Sequence, residues 1–162
     1  MFVQDFKIVD RPYEEVASRL VAGAAAALGE ALRATRRDAE SLKARIGHAG
    51  WPPVVAGDVE LRPGPVRDQG DGTLVAFGWE SAREASLLPR LDADLEVAPF
   101  GAHQTALALR GRYEPLGGVL SQAVDRVLLH RLAESTVRVF LDEVCSALTR
   151  ERLAGPAAAR HG

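Results

Sequence analysis

Alternation of apolar and polar residues dominates the middle of the chain. Four segments repeat with a period of two residues: 59–62, 73–80, 91–97 and 105–113. Strict alternation is typical of strands with one buried and one solvated face, which antiparallel sheets tolerate and parallel sheets rarely do. A shorter strand is predicted at residues 2–9, where Phe2, Phe6 and Ile8 share one face. Three separators predict turns: Pro63-Gly64-Pro65, Gln69-Gly70-Asp71-Gly72 and Pro99-Phe100-Gly101.

A helical period follows the first strand. From residue 12 to residue 32, apolar side chains recur every three or four positions, and Asp10 stands where an N-cap belongs. Gly23 and Gly29 each cost about 1 kcal/mol relative to alanine inside a helix. We therefore expect a break near one of them, giving two helices rather than one.

Two further helices are predicted. Residues 38–46 form one of them, with Asp38 as its cap. Residues 119–150 contain neither proline nor glycine and carry a long amphipathic stripe, which predicts a long C-terminal helix. The stripe consists of Leu129, Ala133, Thr136, Val137, Phe140, Val144, Ala147 and Leu148.

One hairpin can be assigned a register from the pattern. A turn at residues 100–102 would bring apolar residues opposite each other on one face and opposite charges together on the other. The predicted pairs are Leu95 with Leu107, Ala93 with Leu109, and Asp92 with Arg110. A slip by one residue would bury the charges, so the faces are strongly specified.

Composition narrows the class of protein. The 162 residues are 47% hydrophobic and 26% charged, as expected for one globular domain, which we place at residues 1–152, followed by a flexible tail at 153–162. Twenty basic residues against 22 acidic ones leave a net charge of −2, which argues against nucleic-acid binding. A single cysteine and the lack of a signal-peptide pattern predict a cytoplasmic protein. The longest apolar run, 21–29, is far short of the roughly 20 residues of a membrane span.

Candidate catalytic and metal-binding residues are sparse. The histidines show no ligand spacing, so we expect neither a metal nor a cofactor. His130 and Glu134 are one helical turn apart, as in a general base or, more simply, an edge contact. Asp92, Asp94 and Glu96 alternate opposite arginines, which indicates a solvated face of the sheet rather than a carboxylate site. Cys145 lies on or beside the apolar stripe, where a thiol is inert packing.

The element order leads to a family resemblance. A strand, helices, a run of antiparallel strands and one long C-terminal helix predict an α+β fold in which a curved sheet wraps around that helix. The order resembles the helix-grip fold of the START-like superfamily, which includes polyketide cyclase/dehydrase-type and Bet v 1-like proteins. The match is best from Leu91 to Leu148, over the hairpin 91–113 and the junction from Tyr113-Glu114-Pro115-Leu116-Gly117 into 125–131.

The resemblance implies a cavity between the sheet and the C-terminal helix that holds a hydrophobic small molecule, lipid-like or polyketide-like. The expected lining residues are Phe77, Trp79, Leu95, Leu107, Leu109 and Tyr113 on the sheet, and Leu129, Ala133, Val137 and Phe140 on the helix. Trp79 and Tyr113 carry a polar tip that can orient a ligand, although both residue types also serve as core aromatics.

Three functions remain open from the residues alone. The first is binding or transport of that ligand without covalent chemistry. The second is an aromatase/cyclase-type enzyme, which is disfavoured because nearly all charges fall on solvated faces and which would need titratable groups in the cavity, such as His103 or His130 pointing inward. The third is a domain with a filled core that binds a protein partner, through the Ala-rich segment 22–32. A homodimer is compatible with the sequence, which does not determine the oligomeric state.

Overall fold

A computed structural model describes residues 1–46, 59–81, 90–114 and 126–150. Five strands and two helices follow one another along this part of the chain. They are β1 (Phe2–Val9), α1 (Tyr13–Ile46), β2 (Val59–Asp68), β3 (Thr73–Ser81), β4 (Arg90–Pro99), β5 (Thr105–Glu114) and α2 (Arg126–Thr149). The predicted tail 153–162 and residues 119–125 of the predicted C-terminal helix lie outside the described residues.

The five strands form one antiparallel sheet in the order β1-β5-β4-β3-β2. Both helices contribute to the same hydrophobic core as one face of the sheet, which we call the inner face. α2 contacts β1 and β5 and also packs against α1. Arg19 of α1 strengthens this contact by donating hydrogen bonds to the carbonyls of Leu148 and Arg150, at the C-terminal end of α2. The predicted α+β helix-grip fold is confirmed.

α1 confirms the predicted break but neither of the predicted caps. The expected break falls at Gly23, whose backbone is not helical (φ −160°, ψ 41°), whereas Gly29 stays inside the helix. Asp10 is not the N-cap: the helix begins at Tyr13, the carbonyl of Pro12 accepts the first helical N–H groups, and the Asp10 carboxylate accepts from Gln104. Asp38 is not a cap either, because no residue between Gly29 and Asp38 interrupts the helical hydrogen bonds.

The predicted turn at Pro63-Gly64-Pro65 is wrong. These residues lie inside β2, where the pairing with β3 shifts between Pro63 and Val66. Proline is acceptable there because β2 is an edge strand, which pairs with a neighbour on one side only. Gly64 is required by space, since a Cβ at this position would lie 2.6 Å from the carbonyl oxygen of Ala76. The turn at residues 69–72 is confirmed, closed by a hydrogen bond from Gln69 N to Gly72 O.

The β4–β5 hairpin has the predicted faces but a register shifted by two residues. Leu95 pairs with Leu109, Ala93 with Gly111, and Asp92 with Arg112. The connection spans residues 100–104 rather than 100–102 and is closed by a hydrogen bond from Phe100 N to Gln104 O. Because both connections contain an odd number of residues, the two-residue difference leaves each side chain on its predicted face.

β1 lies in the sheet with its more apolar side outward. Phe2, Phe6 and Ile8 are 58%, 67% and 42% exposed, whereas Val3 is buried. The inner face of β1 instead carries Val3, Asp5, Lys7 and Val9, which pair with the inner-face residues of β5. The apolar bias of this strand therefore does not mark its buried side. None of the helices in the described residues is long and apolar enough to cross a bilayer.

Candidate ligand-binding site

The inner face of β3, β4 and β5 is formed by alternate residues of each strand. Period-two alternation places every second side chain on this face, and the register aligns the three strands. All six sheet residues predicted to line a cavity are buried: Phe77, Trp79, Leu95, Leu107, Leu109 and Tyr113. Leu91, next to Trp79 and opposite Tyr113, is also fully buried and was not among the predicted lining residues, although its alternation with Asp92 places it on this face.

α2 supplies the opposite side. Ala133, Val137 and Phe140 follow one another at helical spacings of four and three residues, and all three are buried in the same core as the sheet residues. Leu141 and Cys145 extend the buried face of the helix beyond the predicted stripe. Leu129 belongs to α2, but its side chain lies outside the described residues.

An aromatic cluster joins the sheet to α2. The ring of Phe140 lies 5.4 Å from that of Phe77 in a stacked arrangement and 4.9 Å from that of Trp79 edge-on. Phe77 and Trp79 are themselves 6.1 Å apart. These centroid separations fall in the range of favourable aromatic pairs, so the helix and the sheet are in direct contact at this point.

Small residues lie beside Phe77 in the same row of the sheet, on β4 and then on β5. Ala93 pairs with Gly111 on the inner face, and a Cβ at Gly111 would lie 2.7 Å from the Cβ of Ala93. Two contacts show which part of α2 lies above Gly111. His130 contacts Met1, which is hydrogen-bonded to Tyr113, and Arg138 lies near Asp5, which pairs with Leu109. Ala133 is between these two helix positions and therefore lies near Gly111, which is between Tyr113 and Leu109 on β5. Both sides of the core therefore carry their smallest side chains in this region.

Tyr113 places a polar group beside these small residues. Burial raises the pKa of its phenol to about 12, so the hydroxyl is neutral at physiological pH and can donate a hydrogen bond. No hydrogen bond joins this hydroxyl to another residue that the structure describes.

The other candidate groups lie away from this region. His130 is on the surface, 3.1 Å from Glu134 and 2.9 Å from the sulfur of Met1, and His103 is exposed in the β4–β5 turn. Neither histidine points inward. Within the described ranges no group of three potential metal ligands is present. Burial raises the pKa of the Cys145 thiol to about 12, which keeps it protonated and unreactive near neutral pH.

The outer face of the sheet carries the predicted charges. Arg62 lies 3.4 Å from Glu80 and 3.6 Å from Asp92, and Arg110 lies 3.5 Å from Glu96. This face holds an open depression of about 960 Å³ over Ala76 and Gly78. A smaller depression of about 220 Å³ lies between α1 and α2, beside Gly23. The larger depression also touches Phe77, Ala93 and Gly111, but it opens on the outer face of the sheet, away from α2. The smaller one contains none of the residues predicted to line the ligand site.

Comparison with known proteins adds similarities of fold. No family model and no curated protein matches the chain. The structure is similar to the Zhui aromatase/cyclase from Streptomyces sp. R1128, with 18% identity, a TM-score of 0.49, and 96% of this chain and 98% of that chain covered. It is also similar to a conserved protein from Geobacillus kaustophilus, with 14% identity, a TM-score of 0.47, and 91% and 95% covered.

A third similar structure is a protein from Thermus thermophilus, with 15% identity, a TM-score of 0.44, and 91% and 97% of the two chains covered. At such identities and TM-scores these similarities carry no argument about ligand or reaction. The fold is nevertheless clear from this chain itself: an antiparallel five-stranded sheet with β1 beside β5 and both helices on its inner face. The chain has the helix-grip α+β fold predicted from its sequence.

Proposed function

We propose that the protein binds a hydrophobic small molecule between the inner face of the sheet and α2, without covalent chemistry. The ligand lies over Ala93 and Gly111, between the Phe77–Trp79–Phe140 cluster and Tyr113. Of the remaining predicted residues, Leu95, Leu107, Leu109, Ala133 and Val137 surround it, and Leu129 stays a prediction from the sequence. Burial of apolar ligand surface supplies the affinity, at about 25 cal/mol per Å², and the Tyr113 hydroxyl orients the ligand.

One observation carries this proposal. Tyr113, which is 3% exposed, brings a hydroxyl group next to the smallest side chains of the inner face, where the other side chains are apolar. Apolar surroundings with one polar group to fix orientation are the usual composition of a small-molecule site.

The properties of Tyr113 also favour a binding function over a catalytic one. A general base or acid works best when its pKa is close to the operating pH. The Tyr113 phenol has a pKa of about 12, so it is suited to hydrogen bonding and poorly suited to accepting a proton near neutral pH. The histidines in the described residues, His103 and His130, are on the surface and cannot supply the missing group.

The test compares two tryptophan substitutions on α2. Ala133→Trp adds bulk on the buried side of the helix, where we propose that the ligand lies, whereas Ser146→Trp adds the same bulk on the exposed side. Native mass spectrometry of the freshly purified protein detects a co-purified ligand, and titration with the apolar fluorophore N-phenyl-1-naphthylamine measures affinity. We expect Ala133→Trp to weaken binding by about 10-fold or more and Ser146→Trp to change it by less than about 2-fold.

Overpacking at a buried position also threatens folding, so Ala133→Leu serves as a smaller increment and thermal unfolding is recorded for every variant. A folded Ala133→Leu or Ala133→Trp protein that binds as well as the parent would contradict the proposal. Equal loss of binding in Ala133→Trp and Ser146→Trp would contradict it as well.

A further inference from the structure

The two edges of the sheet are built differently. β2, one edge, contains Pro63 and Pro65 and an irregular pairing between Pro63 and Val66. Proline, charge and irregular pairing are the features by which proteins prevent an edge strand from pairing with another chain. β1, the other edge, pairs regularly with β5 from Phe2 to Val9 and contains no proline. β1 does carry charge, at Asp5 and Lys7, but these residues have opposite signs and can neutralise each other across a paired second strand. The charge on this edge therefore does not exclude pairing with a second copy.

The free backbone groups of β1 belong to its exposed residues. Met1 and Tyr113 exchange both of their backbone hydrogen bonds, at 2.8 and 2.7 Å. In an antiparallel pair such residues alternate with residues whose N–H and C=O groups point away from the partner. Odd-numbered residues of β1 thus bond to β5, and the even-numbered ones, which include Phe2, Phe6 and Ile8, direct their backbone groups to the open edge.

We propose that two copies of this chain pair antiparallel through β1, about a two-fold axis at Phe6, to form one continuous ten-stranded sheet. A two-fold interface requires the surface to complement itself. With the axis at Phe6, a residue that precedes Phe6 by a given number of positions faces the residue that follows Phe6 by the same number in the other copy. The pairs are Phe6 with Phe6, Gln4 with Ile8, Asp5 with Lys7, and Val3 with Val9. The proposal is independent of the proposed ligand site.

Charge selects this register from its neighbours. Side chains keep to their own faces only if the register changes by an even number of residues. An axis at Asp5 places two aspartates opposite each other, and an axis at Lys7 places two lysines opposite each other, both of which are destabilising. An axis at Gln4 places Val3 opposite Asp5. The axis at Phe6 brings opposite charges together and valine against valine.

The charged residues of α2 that lie over β1 are arranged in the same complementary way. Lys7 lies 2.7 Å from Asp142, and Arg138 lies 4.0 Å from Asp5. Each end of the paired region then holds Asp5 and Arg138 from one copy with Lys7 and Asp142 from the other, two positive and two negative charges. Asp5 has a reason to take part, because its Oδ2 is buried without a hydrogen bond. Its Oδ1 accepts from Phe6 N at 2.9 Å. In the dimer this N–H group bonds to the other copy and Asp5 turns to Lys7.

The first experiment measures association of the full-length chain by sedimentation equilibrium. We expect a dimer, and we expect Phe6→Lys to weaken it by about 10-fold or more because two lysines then meet at the axis. Phe100→Lys is the matched control: Phe100 is 49% exposed but lies in the β4–β5 turn, so its effect stays within about 2-fold. A wild-type chain that remains monomeric at about 100 µM would overturn the proposal, as would equal dimerisation of Phe6→Lys.

The second experiment tests the register. Hydrogen-bonded residues opposite each other have Cα atoms about 5.5 Å apart, within the roughly 4.4–6.8 Å of disulfides. Phe6→Cys should therefore form a disulfide-linked dimer on oxidation, whereas Gln4→Cys, four residues from its own counterpart across the interface, should not. Cys145 is buried and does not compete. Cross-linking of Gln4→Cys in preference to Phe6→Cys would refute this axis.

A third outcome distinguishes a lipid surface from a second copy. If phosphatidylcholine vesicles bind the wild-type chain, Phe6→Lys abolishes this binding, and no dimer forms, then the exposed residues of β1 serve a membrane and the dimer is disproved. If the dimer forms and vesicles do not bind, the pairing is supported.

Discussion

The two faces of the sheet differ sharply although they are made by the same strands. On β4, Leu91, Leu95 and Val97 are fully excluded from water, while Asp92 and Asp94 between them are exposed. The inner face is held by apolar contacts with α1 and α2, and the outer face by ion pairs in solvent. Apolar burial contributes in proportion to the area removed from water, whereas exposed ion pairs contribute little. We therefore expect stability to depend on one face only.

β1 has the opposite distribution, with charged residues on its inner face and apolar residues on its outer face. Its inner face contains Asp5 and Lys7, which lie at the sheet edge beneath α2 and interact with Arg138 and Asp142. Its outer face contains the exposed Phe2, Phe6 and Ile8. A face is thus buried because other elements cover it, and a strand at the edge of that cover tolerates charge on its inner side.

The largest expected effect contrasts two leucines on opposite faces. Leu95→Ala opens a cavity at a fully buried position of the inner face and should lower the free energy of unfolding by about 2–5 kcal/mol. Leu74→Ala removes a half-buried side chain from the outer face of β3 and should cost about 1 kcal/mol or less. Urea denaturation followed by circular dichroism measures both. Comparable losses in the two variants would show that the faces contribute equally.

An effect of intermediate size is expected on the pH dependence of stability, through Tyr113 on the inner face. Burial raises the pKa of Tyr113 from 10.0 to about 12. Above pH 10 the unfolded chain loses this proton before the folded one does. The stability that Tyr113 contributes is therefore fully present below pH 10 and is lost as the pH rises towards 12.

Comparison with Tyr113→Phe isolates this contribution. Unfolding by urea is measured between pH 8 and 11.5 for both proteins, and the parent should lose stability more steeply than Tyr113→Phe above about pH 10. Absorbance at 295 nm provides an independent reading of phenolate formation. Parallel stability curves, together with titration of this phenol at its ordinary pH, would show that Tyr113 is solvated.

The smallest effect is expected on the outer face. Arg110 and Glu96 are 3.5 Å apart, with side chains 62% and 37% exposed. A double-mutant cycle with Arg110→Ala and Glu96→Ala should yield a coupling of about 0–1 kcal/mol that decreases as salt is added. A coupling above about 2 kcal/mol, insensitive to salt, would mean that the outer face is less solvated than its exposure indicates.

Much of the candidate site was predictable because its residues follow local periods. Alternation placed Phe77, Trp79, Leu95 and the other sheet residues on one face, and helical spacing placed Ala133, Val137 and Phe140 together. The contact of Phe140 with Phe77 and Trp79 was not predictable, since it depends on where α2 crosses the sheet. The same holds for the placement of Ala133 near Gly111.

The errors in the fold have a common origin. The Pro63-Gly64-Pro65 segment has turn chemistry, yet its position at a sheet edge allows it to continue β2. Asp10 has N-cap chemistry, yet Gln104, distant in sequence, takes its carboxylate. The hairpin register depends on a five-residue connection, closed between Phe100 and Gln104, that the local pattern does not specify. In each case a contact between distant segments overrides a local preference.

The sequence by itself determined where β1, β3, β4, β5 and the C-terminal helix lie and that each has two unlike sides, because periods of 2 and 3.6 residues are properties of the local backbone. Only the tertiary structure decided which side is covered. The two sides of β1 differ in composition, but the strand itself does not determine which of them α2 covers. The packing of α2 left Phe2, Phe6 and Ile8 in solvent and Asp5 and Lys7 beneath a helix. A side chain is buried only where another element covers it, and the alternation within one strand does not specify which elements pack against it.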